Sequence, residues 1–282
     1  MGALFGPAGN SDAFAAAGYK KTTEAMKWLS EIGLDAYEYQ CGRGVNASRE
    51  SLESTRAEAE KYGIAMSLHA PYFISLSGVE LEKRLGSLRY INESLEAADA
   101  VGAYLIVIHT GSASKISRAE AVGLAKDTMY RVLEENKYPS IRLGLETMGK
   151  ENQLGTLDEV LEICKLDKRL WPVVDWGHMN ARNVGGLFTD VDSYRRVFEQ
   201  IGETLGDEYA NELHCHFSKI EFTEKGEKKH LTFADTVYGP PPEPLMECIA
   251  KYGFSPRIIC ESAGTQSDDA LYMKRCYEDY KK

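Results

Sequence analysis

No apolar run in the 282-residue sequence approaches the roughly 20 residues that a membrane-spanning helix requires, so an integral membrane protein is not expected. Residues 1–18 lack the basic segment followed by an apolar one that marks a secretory signal, and a cytoplasmic location is predicted. The six cysteines form no CxxC pair, which argues against a disulfide framework and a zinc finger. A Gly-rich dinucleotide-binding fingerprint is also missing.

Positive charge is comparatively scarce, with 33 Lys and Arg residues against 43 Asp and Glu residues and a formal net charge of −10. This balance argues against a large surface that coats DNA non-specifically. It leaves local binding of nucleic acid open, because bound divalent cations reverse the charge of a site. The length suits one domain over residues 1–282, and nothing in the sequence requires more than a monomer.

Short apolar or β-branched runs alternate with segments of helical period through eight cycles. The predicted strands are residues 3–5, 36–40, 65–69, 104–109, 142–146, 171–175, 212–216 and 257–261. The predicted helices lie near residues 20–32, 49–62, 79–101, 117–135, 157–165, 190–205, 244–252 and 267–280. Four glycines stand where a helix should end: Gly33, Gly63, Gly102 and Gly253. Strands joined by helices pair in parallel, so the pattern predicts a single (β/α)8 TIM barrel, with an open doubly wound sheet as the alternative.

Metal-capable side chains recur at the carboxyl ends of the predicted strands and in the loops that follow them. Eight residues share this placement: His69, His109, Glu146, Asp175, His178, His214, His230 and Glu261. In a barrel these positions converge on one face, where active sites are built. Each residue alone is more simply interpreted as a hydrogen-bonded structural residue or a helix cap. Together they predict a metal centre, because eight crowded polar groups without cations would leave unpaired buried charge.

The ligand types limit the choice of metal. Imidazole nitrogen with carboxylate oxygen suits zinc, and also manganese or iron, whereas the lack of Cys disfavours thiolate-preferring metals. His216 lies two residues after His214, so both side chains face the same way in a strand. Three roles are open for His216: metal ligand, substrate contact and core residue. Of these, the substrate contact is favoured. Lys219 follows at the end of the strand and is either an anion contact or a solvated lysine.

Several segments resemble motifs of the endonuclease IV family, zinc-dependent barrel nucleases that act at abasic sites in DNA. In family order, they are His69-Ala70-Pro71-Tyr72-Phe73, Val107-Ile108-His109-Thr110-Gly111, Glu146-Thr147-Met148-Gly149-Lys150, Asp175-Trp176-Gly177-His178, His214 with Ser218-Lys219, and Cys260-Glu261-Ser262. The resemblance implies the family's barrel and three metals. It assigns the first metal to His69, His109 and Glu146, and the second to Glu146, Asp175, His214 and Glu261.

The third metal implied by the resemblance would be held by His178, His230 and an aspartate, but this sequence has Lys228 at the aspartate position. A protonated lysine cannot ligate a metal and is repelled by one. The site is then empty, weaker or completed by another carboxylate, for which the candidates are Glu221, Glu227 and Asp235. Alternatively, Lys228 replaces the third cation and faces a phosphate.

Two further departures from the family concern the DNA substrate. His216 and Phe217 stand where the family usually has Asn and Asp, and residues 40–44 lack the Asn- and Arg-rich pattern of its DNA-recognition loop. The candidate phosphate neighbours are Lys150, Lys219 and Lys228. Tyr72 and Phe73 are candidates for stacking against bases, with ordinary packing at the barrel rim as the competing interpretation.

The resemblance implies a phosphodiesterase that incises DNA at abasic sites. A bridged metal pair about 3.5–4 Å apart generates hydroxide and stabilises in-line phosphate displacement. Glu146 would bridge the ions and Glu261 would orient the attacking hydroxide. The alternative is a metal-dependent isomerase or epimerase acting on a sugar or sugar phosphate, and His69 and His109 favour phosphoryl chemistry over it. A barrel that only binds a ligand would not explain a bridging carboxylate.

Overall fold

A computed structural model describes residues 2–282 and contains ten strands. They are β1 (Leu4–Pro7), β2 (Ala36–Gln40), β3 (Ala65–His69), β4 (Leu105–His109), β5 (Arg142–Glu146), β6 (Leu170–Asp175), β7 (His214–Phe217), β8 (Ile220–Thr223), β9 (Gly226–His230) and β10 (Arg257–Cys260). Eight of them pair in parallel in the order β1-β10-β7-β6-β5-β4-β3-β2, and β8 pairs with β9 as an antiparallel hairpin. The predicted TIM barrel is therefore confirmed.

The barrel closes between its first two strands. The backbone N–H of Gly9 donates to the carbonyl of Glu38 over 3.0 Å, just beyond the end of β1. Beneath this contact, Gly6 packs directly on β2, where a Cβ atom would lie 1.8 Å from the carbonyl oxygen of Ala36. A side chain at position 6 would hold the two strands apart, so the glycine is needed for closure.

Helices surround the barrel. They are α1 (Asp12–Ala16), α2 (Thr22–Ile32), α3 (Arg49–Tyr62), α4 (Leu81–Val101), α5 (Arg118–Glu135), α6 (Leu157–Cys164), α7 (Trp176–Arg182), α8 (Val191–Leu205), α9 (Asp207–Asn211), α10 (Glu243–Tyr252) and α11 (Gln266–Tyr280). The sequence did not predict the short helices α1, α7 and α9, nor the β8–β9 hairpin. Four helices end at a left-handed glycine as expected, at Gly33, Gly63, Gly102 and Gly253. Within residues 2–282, no helix is long and apolar enough to cross a membrane.

The barrel interior is apolar in part and polar toward the carboxyl ends of the strands. Leu105 and Val107 of β4 pack there against Trp171 and Val173 of β6. The polar part consists of buried side chains from several strands: Glu38, Ser67, His69, Glu146, Asp175, His214 and His216. Burying so many polar and charged groups is costly unless they pair or bind cations, so this end of the barrel is the candidate site.

Candidate metal centre

A cavity of about 470 Å³ opens at the carboxyl ends of the barrel strands. The titratable side chains on its wall are His69, Tyr72, His109, Glu146, Lys150, His178, Glu227, His230 and Glu261. Asp175 and His216 are fully buried and have no exposed surface. Seven of the eight predicted ligands therefore lie at or directly beside this cavity, and the exception is His214.

Glu146, at the end of β5, is the central residue of the site. Its Oε2 lies 3.0 Å from His109 Nε2 and 3.6 Å from His69 Nε2. Its Oε1 lies 2.9 Å from His216 Nδ1 and 3.5 Å from His178 Nδ1. The two carboxylate oxygens thus face imidazole nitrogens on opposite sides, which is the arrangement a bridging carboxylate needs.

A second group of candidate ligands adjoins Glu146 on the His216 side. His216 Nδ1 lies 3.6 Å from Glu261 Oε2. Asp175 caps the N-terminus of α7, where its Oδ1 accepts the N–H of His178 over 2.7 Å. The candidate ligand atoms of Glu146, Asp175, His216 and Glu261 all lie within 4.8 Å of one another. Such spacings fit ligands around one ion, since zinc bonds to nitrogen and oxygen are about 2.0–2.2 Å long.

The structure corrects the expectations for the two histidines of β7. His216, which was expected to contact substrate, lies beside Glu146 among the candidate ligands and is buried from solvent. His214, which was expected to be that ligand, lies deeper in the barrel with its Nε2 3.0 Å from Glu38 Oε2 and its Nδ1 2.5 Å from Tyr104 Oη. Both side chains do face the barrel interior, but two residues along a strand span about 6.6 Å.

A third group forms around His178 and His230, and Glu227 completes it. His178 Nε2 lies 3.5 Å from Glu227 Oε2, and the two imidazole rings have centroids 5.4 Å apart. The ligand atoms of these three residues lie within 4.8 Å of one another. Of the carboxylates considered from the sequence, Glu221 instead pairs with Lys228, and Asp235 accepts backbone N–H groups of its own turn.

A register shift in the β8–β9 hairpin explains why Glu227 takes this place. Glu221 pairs with Lys229 and Phe222 pairs with Glu227, which leaves Lys228 as an extra residue between them. An extra residue reverses the side-chain alternation of a strand, so the side chain before the bulge changes face. Lys228 is consequently exposed, lies outside the cavity wall and bonds to Glu221 over 2.6 Å, while its contact with a phosphate stays a prediction.

Glycine backbones bring the hairpin against the loop after β5. Gly226 has φ +88°, and a Cβ atom there would lie 2.2 Å from the carbonyl oxygen of Gly149. The same carbonyl accepts the N–H of Glu227 over 3.0 Å. A Cβ atom on Gly149 would in turn lie 2.7 Å from Cβ of Glu227. The close contact of the two segments therefore sets where the Glu227 carboxylate lies.

Hydrogen bonds fix the orientation of three candidate ligand histidines. His69 Nδ1 donates to the carbonyl of Ala70 over 2.8 Å, and His178 Nδ1 donates to that of Thr147 over 3.0 Å. His216 Nε2 lies 3.0 Å from Glu38 Oε1. In each ring the other nitrogen is left with its lone pair facing a carboxylate. Metal-binding histidines in proteins are held in this way.

The raised pKa values of His216 and His178 indicate a negative electrostatic potential among the candidate ligands. Burial opposes protonation of His216, yet Glu261, Glu38 and Glu146 raise its pKa well above the usual value. Burial likewise opposes the charged form of His178, but Asp175 and Glu146 raise its pKa well above the usual value. A potential that stabilises protons on buried imidazoles also stabilises bound cations.

Two buried carboxylate oxygens are left without a hydrogen bond among residues 2–282, Glu146 Oε2 and Asp175 Oδ2. A buried acceptor without a donor costs about 1–3 kcal/mol, and more when it is charged. A cation bound by His69 and His109 would satisfy Glu146 Oε2, and a cation bound among Glu146, Asp175, His216 and Glu261 would satisfy Asp175 Oδ2. The donor set thus fits divalent transition metals.

The remaining predicted substrate contacts differ in position. Tyr72 and Phe73 each have 55% of their surface exposed, but only Tyr72 lines the cavity, with its ring centroid 5.2 Å from that of His109. Phe73 packs against Tyr90, with ring centroids 5.6 Å apart. Lys219 bonds to the backbone of the following loop: its Nζ donates to the carbonyl of Phe233 over 2.9 Å and to that of Asp235. The expectation that Lys219 meets an anionic group is therefore corrected.

Glu38 was missed at the sequence level. It lies in the middle of β2 and is completely buried beneath the second group. Burial opposes ionisation of its carboxyl group, but His216 and His214 hold its pKa well below the usual range. A charged residue among the apolar and aromatic residues of a strand was the available signal, because such a residue is rarely buried unless it is paired.

Sequence comparison identifies relatives along most of the chain. The family model for the xylose isomerase-like TIM barrel matches residues 26–276. An uncharacterised protein of Methanocaldococcus jannaschii is 29% identical over 258 residues, which cover 91% of this chain and 92% of that protein. A probable endonuclease 4 of Acholeplasma laidlawii is 27% identical over 207 residues, which cover 67% of this chain and 69% of that protein.

Solved structures with the same fold include two kinds of enzyme. A D-tagatose 3-epimerase-like protein superposes with a TM-score of 0.71 and 19% identity, covering 98% of this chain and 96% of its own. Endonuclease IV from Thermus thermophilus superposes with a TM-score of 0.68 and 17% identity, covering 98% of each chain. At these identities the likeness concerns the fold alone.

Proposed function

The chain belongs to the xylose isomerase-like TIM barrel family, and we propose that it is a metal-dependent phosphodiesterase that acts at abasic sites in DNA. The observation that carries the proposal is the shared carboxylate of Glu146. His69 and His109 face one of its oxygens, while His216 and His178 face the other. Isomerising a sugar does not call for the extra nitrogen ligands on the His69 and His109 side, whereas phosphoryl transfer uses paired ions.

The proposed ligands form three sets that share or adjoin Glu146. They are His69, His109 and Glu146; Glu146, Asp175, His216 and Glu261; and His178, Glu227 and His230. Zinc in these sets, with manganese or iron as alternatives, would act as a Lewis acid toward the phosphate and lower the pKa of water. Glu146 holds the first two sets together. Glu261 Oε2 lies 3.6 Å from His216 Nδ1 and 3.9 Å from His230 Nδ1. From this position it would orient the attacking water.

The groups at the mouth of the cavity support a nucleic-acid substrate. Lys150 is exposed on the cavity wall, where its ammonium group suits a backbone phosphate. Tyr72 presents a half-exposed ring beside His69 and His109, with ring centroids 5.2 Å from each, and offers a face to a base or deoxyribose. Gly42 permits this placement, since a Cβ atom there would lie 2.4 Å from the Tyr72 ring.

The test combines metal content with incision. Protein purified without chelator is expected to hold three transition-metal ions per chain by elemental analysis. It is expected to incise a duplex 5′ to a single abasic site, to lose that activity with chelator and to regain it with Zn²⁺ or Mn²⁺. Glu261→Gln keeps the size of the side chain and removes its charge, and it is expected to abolish incision and to weaken binding of the second ion. Fewer than one metal ion per chain would overturn the metal site itself.

A sugar epimerase or isomerase is the second candidate. Glu146, Asp175, His216 and Glu261 by themselves form a four-ligand group suited to a polyhydroxylated substrate. Three amide side chains on the cavity wall, Gln40, Gln153 and Gln266, provide donors and acceptors for hydroxyl groups. Turnover of a ketose, an aldose or a sugar phosphate by metal-loaded protein, together with no incision of abasic DNA, would establish this candidate in place of the nuclease.

A further inference from the structure

Glu38 is a buried carboxylate that does not line the cavity but contacts the candidate ligands from below. It accepts hydrogen bonds from Ser67 Oγ over 3.0 Å and from Gln40 Nε2 over 3.2 Å. Its two remaining close neighbours are His214 Nε2 and His216 Nε2, each 3.0 Å from one of its oxygens. Glu38 is thus a fully paired buried charge whose partners include one proposed metal ligand.

The pairing determines which nitrogen of His216 is free. An imidazole that donates Nε2–H to Glu38 keeps its lone pair on Nδ1 when it is neutral. His216 Nδ1 points at Glu146 Oε1 over 2.9 Å and at Glu261 Oε2 over 3.6 Å. A lone pair facing two carboxylates is repelled unless a proton or a cation lies between them. Glu38 therefore prepares His216 to be an Nδ1 ligand.

Tyr104, His214 and Glu38 form a hydrogen-bonded chain, and this chain reaches Glu38 on the side away from His216. Tyr104 Oη lies 2.5 Å from His214 Nδ1, so the hydroxyl donates and leaves Nε2–H to donate to Glu38. The tyrosine ring is itself covered by a guanidinium, with the Cζ atom of Arg257 3.9 Å from the ring centroid. The hydrogen bonds run in one direction from Tyr104 through His214 to Glu38, so the carboxylate cannot easily rotate away from His216.

We propose that Glu38 is a positioning residue, which fixes the tautomer and orientation of His216 as a metal ligand, with His214 and Tyr104 as its support. This inference rests on the proposed metal centre but not on the identity of the substrate. His69 is held by a neutral backbone carbonyl, whereas a carboxylate from outside the ligand set holds His216 and raises the basicity of its ligating nitrogen. The ion bound by His216 is thereby the one most dependent on a residue outside the ligand set.

The test measures metal affinity in the full-length protein carrying Glu38→Gln. Competition with a chromogenic chelator is expected to show one Zn²⁺ ion per chain bound about 10–100-fold more weakly, as for other outer partners of ligand histidines. The cobalt-substituted variant is expected to have an altered visible absorption spectrum. Ser67→Ala is the matched control, because it removes one hydrogen bond to the same carboxylate and keeps both histidine contacts, and it is expected to change both readouts much less than Glu38→Gln does. Glu38→Gln with wild-type zinc affinity and an unchanged cobalt spectrum would overturn the proposal.

A measurement on the wild-type holoprotein covers the case in which the variant does not fold. Histidine ¹⁵N NMR is expected to show the His216 ring protonated on Nε2, and a ring protonated on Nδ1 would contradict the proposal. The two proposals fail in different ways. Metal-loaded protein that depends on Glu38 but incises no abasic DNA overturns only the phosphodiesterase, whereas wild-type protein that binds no metal overturns both.

Discussion

His216 Nδ1 lies 2.9 Å from Oε1 of Glu146, and this contact joins strands β7 and β5 across the barrel. The neighbouring His214 faces the same interior but lies against Glu38 instead. The distinction matters for function, because only one of the two imidazoles reaches the carboxylate that the proposed ions share. It is also directly testable by removing each imidazole in turn.

His216→Ala is expected to lose the ion of the second ligand set and at least about 100-fold in incision rate. The variant removes the only nitrogen ligand of that set, and removing a metal ligand costs both binding and Lewis-acid chemistry. Elemental analysis after gel filtration and a single-turnover incision assay measure the two effects. His214→Ala is the comparison variant, and because His214 contacts Glu38 and not Glu146 it is expected to lose much less of this ion than His216→Ala does. Equal metal loss in both variants would argue against the assignment of His216.

Glu227→Gln is expected to lower the metal content from three ions per chain to two, because an amide is a weaker ligand than a carboxylate. Lys228→Ala, at the adjacent position, is expected to leave the metal content unchanged, since the lysine bonds to Glu221 on the outer side of the hairpin. Elemental analysis of the two variants decides between the residues. Three ions in Glu227→Gln would show that this carboxylate is not a ligand.

Gly226→Ala is expected to lower the free energy of unfolding by about 1–3 kcal/mol and to release the third ion. Its backbone is left-handed, and the added methyl group would meet the carbonyl of Gly149, which also holds the N–H of Glu227. Urea unfolding and elemental analysis measure the two effects. Gly186→Ala is the matched control, because Gly186 has φ +71° but open space around it. Gly186→Ala is expected to lower the free energy of unfolding through backbone strain and to keep all of its metal ions.

Chelator is expected to lower the thermal stability of the wild-type protein. Ions that bind only the folded chain stabilise it by mass action, by about 2.7 kcal/mol for each site at a free concentration of 100 times Kd. Their removal also leaves Glu146 Oε2 and Asp175 Oδ2 buried without a partner. Calorimetry with and without chelator, followed by zinc titration, measures the change. An unfolding temperature that is independent of zinc would contradict bound structural ions.

The strand–helix rhythm was readable from the sequence because it depends on local periodicity. The resemblance to endonuclease IV motifs is consistent with the family that matches residues 26–276. Strand ends are also predictable, so the sequence alone places His69, His109 and Glu146 at one face of the barrel, and they lie there. Residues at the same end of parallel strands meet because the strands are neighbours, and no long-range information is needed.

The sequence by itself determined the barrel and the face that carries the metal-capable residues, since both follow from the order and length of its strands and helices. Only the tertiary structure decided which side chains reach each other. The depth of β7 in the barrel selected His216 over His214, and the bulge at Lys228 turned Glu227 toward His178. Glu38 contacts His216 because the side chains of β2 and β7 meet in the barrel interior. Each outcome depends on strand register and barrel geometry, and these are set by packing between segments far apart in the chain.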